Sequence, residues 1–219
     1  MIGKLIIMIG VPLTSQSDPG TENNGVANCQ THIRQLLDPT LAGTLQHQWR
    51  WNKTNVKPEA FWSYLRRHVT PGFEDVLEFG MEQRLYDPSI PLHKLLFRWL
   101  VIPWLQREFD KVIIRFNASA RRRDKHKILP QGIPDLIARN PERYGYRNYT
   151  VGVSPEIFSA AEAQWAPPDD PVFQLTPQGF DVEAKQVYNR LGSPSVTHDS
   201  VWMVYTQMLA ILYQSESLS

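Results

Sequence analysis

The chain has 219 residues, 42% of them hydrophobic and 21% charged, a length and composition that fit one globular domain with an appendage or two small domains rather than a disordered chain. A single cysteine, Cys29, excludes an internal disulfide and a cysteine-rich zinc site, and the six histidines show neither His-Glu-x-x-His nor paired-cysteine spacing. The formal net charge of +1 hides a division: Lys94 to Lys127 holds ten Lys or Arg against three acids, a net of +7, whereas Ser154 to Ser219 holds eight acids against Lys185 and Arg190, a net of −6. The middle of the chain could face a polyanion; the tail is unsuited to one.

At the N-terminus, Lys4 and the apolar run Leu5–Ile9 resemble the start of a signal peptide, but Pro12 and the polar residues after Leu13 leave no small-residue cleavage site. The other reading is a helix end capped by Gly10, then a strand from Val11 to about Ser17. That strand delivers Asp18 into the turn Asp18-Pro19-Gly20-Thr21, with Gly20 supplying tight or left-handed backbone. A carboxylate at the carboxyl end of a strand can point into the crevice where open α/β sheets hold ligands. An ordinary turn built from turn-favouring residues is the competing reading. Val26, Ile33, Leu36 and Leu37 recur at helical spacing, and Asp38-Pro39 ends that helix. Cys29 reads as a small core residue.

His47 to Trp51 alternates polar and aromatic as a short strand does, placing Trp49 and Trp51 on one face, for core packing or for stacking on splayed bases. Asn55 and Glu59 are four apart and share a helix face. Pro58 fits the first helical turn, Phe61, Trp62 and Leu65 supply a buried side, and Arg66, Arg67 and His68 a polar one, with Pro71-Gly72 as the stop. Glu59 is either a metal ligand held rigidly on that turn or an acid serving the helix dipole. A short helix is expected from Phe73 to Leu85, then two helical pieces from Leu92 to Asn117 broken near Pro103, the second burying Phe109, Val112, Ile113 and Phe116. Charges in both pieces argue against a membrane span.

Arg121-Arg122-Arg123-Asp124-Lys125-His126-Lys127 is the sharpest basic patch: a salt-sensitive phosphate-contacting surface, a solvated helix end or a localisation signal. A short helix around Ile137, a polar loop from Asn140 to Asn148 and an extended piece at Val151 and Val153 follow. Trp165–Pro171 is the best linker. Residues 181–192 form an amphipathic helix with Val182, Val187 and Leu191, and a final helix from Ser200 to Tyr213, capped by Thr197 or Asp199, docks on the core.

Ser17–Asn23, His47–Trp51, Asn55–Arg67 and Thr70–Glu74, supported by Phe97–Leu105, Arg115–Asn117, Lys127–Pro130 and Ser200–Trp202, resemble in order and joint presence the catalytic core of integrase-like DDE transposases, closest to the integrase-core proteins of basidiomycete genomes. Pro19 departs from the basic or polar residue common there. The resemblance implies an incomplete RNase H-like α/β fold, with a partial integrase-like core at residues 1–153 and an acidic helical extension at 154–219. In that family three carboxylates hold two Mg²⁺ or Mn²⁺ ions for DNA strand cleavage and strand transfer. Asp18 and Glu59 would be two of the three ligands, and Asn55 a residue orienting phosphate near them. Lys57, Arg66, Arg67, Arg121, Arg122, Arg123, Lys125 and Lys127 would contact DNA. The family's first catalytic Asp lies on an earlier strand than any here, so the expected activity is impaired or lost. The alternative is a non-catalytic nucleic-acid-binding or protein-interaction module. The expected location is nuclear or cytoplasmic rather than secreted, with a homo-oligomer or an additional N-terminal segment as the candidate complement.

Overall fold

A computed structural model describes residues 10–51, 56–120, 130–167 and 169–216. The chain is α/β and mostly helical. By internal contacts it forms two units, residues 1–62 with 123–173 and residues 63–122 with 174–219. The division does not follow the charge break at residue 154, because the first helix of the acidic tail packs within the first unit.

In the first unit, Gly10 takes φ +89 and lies against the Val151 carbonyl, where a Cβ would collide, so its lack of a side chain permits the pairing that follows. Strand β1 (Val11–Pro12) runs antiparallel to β4 (Thr150–Val151), and β2 (Ser15–Ser17) runs parallel to β3 (His47–Trp49). The expected strand from Val11 to Ser17 is therefore two short strands in different sheets. Pro12 has no N–H to continue a ladder, which suits a strand end. Helix α1 (Asn24–Leu37) crosses over between β2 and β3, the connection a parallel pair requires. Asp38 ends it, accepting from the Thr40 N–H at 3.1 Å as Pro39 opens a single 3₁₀ turn.

The buried face of α1 is Ala27, Gln30, Ile33 and Arg34, while Val26 and Leu36 are exposed. The inward side of α1 thus includes Ala27, Gln30 and Arg34 beside Ile33, and apolarity alone does not mark it. Ile33 meets Val11 and Ala161, with Cys29, Leu37 and Trp165 around them, where Ala161 and Trp165 belong to α7 (Pro155–Trp165). Cys29 is half-buried and burial pushes its thiol up, as expected of a packed cysteine. Helix α6 (Pro134–Arg139) precedes β4.

The second unit carries the larger core. Helix α2 (Val56–His68) leads into it, and α3 (Thr70–Glu82) follows at once. Pro71 sits in the first turn of α3, where a missing N–H costs nothing, so Pro-Gly opens a helix as well as closing the previous one. Helix α4 (Pro91–Leu96) passes through a π-helical stretch, Phe97–Val101, into α5 (Ile102–Ala118). The wider π turn falls just ahead of Pro103, whose ring a continuous α-helix would not accept. In α5, Trp104 and Val112 are buried, and Phe109, Ile113 and Phe116 are partly buried. Helices α8 (Gln178–Arg190) and α9 (Val201–Glu216) complete the unit.

Val201, Val204, Tyr205, Met208 and Leu212 of α9 recur at helical spacing and are almost wholly buried. They pack with Leu96, Leu100, Val101, Trp104, Ala184 and Val187. The α9 indole of Trp202 lies over Gly80 and donates to the Val76 carbonyl at 2.7 Å. Val182 of α8 is exposed, and Ala184 takes its expected inward place beside Val187. No helix among the described residues is long and apolar enough to cross a membrane.

Candidate functional site

The β2–α1–β3 crossover sets the position of the first carboxylate. Asp18 directly follows β2, and its exposed side chain emerges where the strand ends. Its backbone carbonyl accepts from Ser17 Oγ at 3.0 Å and from Asn23 Nδ2 at 3.1 Å, which pins the turn. Gly20 does not supply left-handed backbone: at φ −163 and ψ 145 it is extended, a conformation open to any residue. Its missing side chain instead leaves room for the Glu22 carboxylate, which folds back over it.

Glu59 is exposed in the first turn of α2, the helix that follows β3. It thus stands at the start of its helix, as the sequence pattern requires. No hydrogen bond or ion pair joins Asp18 to Glu59, and no group of three His, Cys, Asp or Glu side chains suited to a metal ion occurs among the described residues. The donor chemistry of two carboxylates suits a hard cation such as Mg²⁺ or Mn²⁺. Asn55 lies outside the described residues. Lys57 lies in the first turn of α2, and Arg66 and Arg67 in its last turn, exposed. Arg67 Nε donates to the Ser63 carbonyl at 3.0 Å. Arg121, Arg122, Arg123, Lys125 and Lys127 also lie outside the described residues.

The side chains beneath Asp18 form a cluster that the sequence reading did not single out. His47 is 4% exposed, and its ring is held between two hydroxyls of the neighbouring strand: Ser15 Oγ lies 2.7 Å from Nδ1 and Ser17 Oγ 3.1 Å from Nε2. Ser17 Oγ gives its proton to the Asp18 carbonyl, so it accepts from His47 Nε2–H, and Ser15 O–H then donates to Nδ1. The neutral ring satisfies both hydroxyls at once. Burial pushes the His47 pKa down, in keeping with that neutral form. The clamp ties β3 to the residue immediately before Asp18.

Trp49 packs edge-on against His47 at 4.5 Å between ring centroids and is partly buried. Of the two readings for that aromatic pair, packing therefore holds for Trp49. Trp51 is 65% exposed and Trp62 66% exposed, which leaves wide ring surface accessible. Gln16 and Gln48, in register with one another, are exposed, and Gln16 Oε1 accepts from Arg50 Nε at 3.0 Å. Strand alternation explains the split: Ser15, Ser17, His47 and Trp49 share one face, and Gln16 and Gln48 take the other. The signal was present in the sequence as Ser-x-Ser before Asp18 and His-x-Trp before Arg50, but only the parallel register brings the two together.

Compared with known proteins, the chain is matched by no protein-family model, no curated protein and no solved structure.

Proposed function

We propose that the first unit carries RNase H-like elements of integrase type and acts as a divalent-cation-assisted DNA-binding module. The observation that carries this reading is topological. Asp18 directly follows the first strand of a parallel β–α–β unit, and Glu59 opens the helix after the second strand. An acid at a strand end and a second in the first turn of a later helix are the arrangement that the sequence resemblance implies for polynucleotidyl transferases.

In this reading Asp18 and Glu59 hold Mg²⁺ or Mn²⁺, which would offset phosphate charge at the strand ends. Two carboxylates are one fewer than the family's site uses, so the reading commits to ion-assisted binding and not to turnover by this chain alone. The basic residues Arg66, Arg67 and Arg121–Lys127 are the candidate backbone phosphate contacts. A non-catalytic module that holds single-stranded nucleic acid is the second reading, favoured by the exposed rings of Trp51 and Trp62.

The two readings separate by fluorescence anisotropy of labelled duplex and single-stranded DNA, with and without Mg²⁺. The first expects Mg²⁺ to tighten duplex binding on the order of tenfold, about 1.4 kcal/mol, with the gain lost in an Asp18→Asn, Glu59→Gln double variant. An unchanged gain in that variant would sink the first reading. Metal-independent preference for the single strand, abolished by Trp62→Ala, would establish the second.

A further inference from the structure

In the second unit His93 occupies a position that the proposed function does not use. It lies on α4 and is 7% exposed. Its Nδ1 accepts the backbone N–H of Asp87 at 3.0 Å, which leaves Nε2 as the protonated nitrogen of the neutral ring, 3.0 Å from the Tyr213 hydroxyl of α9. Two turns and more earlier on α9, the Tyr205 hydroxyl donates to the His93 carbonyl at 3.1 Å. The same histidine thus joins the turn before α4 to two successive points along the last helix.

The surroundings favour the neutral ring. Tyr205 and Tyr213 face it from α9, with ring centroids 6.3 and 6.1 Å away, and Tyr86 faces it from the connection before α4 at 6.5 Å. All three present phenol rings rather than carboxylates. The nearby carboxylate, Asp87, is turned to Ser89, accepting from its N–H at 2.8 Å and its hydroxyl at 2.6 Å. Lys94, the next residue on α4, is exposed to solvent. Burial holds the His93 pKa down, with Asp87 partly opposing.

We propose that His93 is an acid-sensitive latch for the turn before α4: a proton on Nδ1 sets N–H against the Asp87 N–H, breaks that bond and frees the turn, while the Nε2–H bond to Tyr213 of α9 holds. The geometry makes the response specific. A protonated ring can still donate to Tyr213, but it has no acceptor to offer Asp87, so one of two donors is left buried and unpaired. Opening relieves that conflict because the Nδ1–H is then solvated. Between the ordinary imidazole pKa and the lowered folded value, each unit of falling pH then raises the opening constant by up to about tenfold.

The test is residue-resolved hydrogen exchange of the full chain from pH 7.5 to pH 5, corrected for intrinsic exchange chemistry, with the His93 ring followed by NMR. The latch expects the Asp87 amide to lose protection as pH falls while residues 201–216 keep theirs, and a His93→Gln variant, whose amide keeps one donor and one acceptor, to lose that pH dependence. A pH-independent Asp87 amide in the native chain overturns the proposal. So does an unchanged slope in His93→Gln. Should that variant fail to fold, a native Asp87 amide that keeps its protection while the His93 ring titrates would still refute it.

Discussion

At the scale of single residues, close approach decides more than polarity. Gly80 sits inside α3, where alanine would ordinarily gain about 1 kcal/mol over glycine through helix propensity. Here a Cβ would overlap the six-membered ring of Trp202, whose indole is fixed by its bond to Val76. An indole held at its nitrogen cannot swing aside cheaply, and overpacking a core costs about 1–3 kcal/mol or more. Steric conflict therefore wins, and Gly80→Ala should destabilise the protein by about 1–3 kcal/mol in urea unfolding. Equal or greater stability would show that Trp202 can repack. His47 teaches the complementary point: its ring is buried at low cost because two serines satisfy both nitrogens.

At the scale of elements, one side chain couples the helix of the crossover to the neighbouring sheet. Gln30, buried on α1, donates to the Pro12 carbonyl of β1 at 2.6 Å, across 18 residues of sequence. Gln30→Ala leaves that carbonyl without its partner, which should cost about 1–3 kcal/mol. Gln30→Glu should cost more at neutral pH, since a carboxylate opposes a carbonyl and gives up the donor. Thermal unfolding of both variants checks the order, and equal losses would mean that cavity formation outweighs the hydrogen bond. The helix boundaries follow local chemistry throughout: Asp38-Pro39 after α1, Pro71 opening α3, Pro103 opening α5 behind a π turn. Those residues act through backbone donors and fixed φ angles, so their effect needs no tertiary partner.

At the scale of the whole molecule, the shifted ionisations define a pH window. His47 and His93 are held below the ordinary value of 6.5, so the folded state disfavours their protonation. Their contribution is complete above pH 6.5 and is lost as pH falls through the folded values. Hydrogen bonds from Thr40 and Ser89 lower the Asp38 and Asp87 carboxyls, adding acid sensitivity at still lower pH. Tyr205 moves the other way: burial raises its pKa above 10, so stability falls once the unfolded phenol ionises at higher pH. With the buried Cys29 thiol also held above its ordinary value of 9.0, the melting temperature should be flat from about pH 6.5 to 9 and fall on both sides. A maximum near pH 5 would contradict this, because it would require a buried group that gains a proton on folding.

The sequence by itself determined most of the helices, the absence of an internal disulfide, and the placement of Glu59 in a first helical turn and of Asp18 at a strand end. These rest on periodicity and on proline, glycine and capping chemistry, all of which act within a few residues. The tertiary structure decided which face of each helix is buried, as when Ala27 and Ala184 go inward while Val26, Leu36 and Val182 face water. It also decided that Val11 and Ser15 join different sheets, that Trp49 packs on His47, and that His93 binds an element 120 residues away. Burial depends on the sum of neighbours contributed by distant segments, and a hydrogen bond on register between them. Neither quantity is carried by a local run of residues, so both emerge only when the chain is folded.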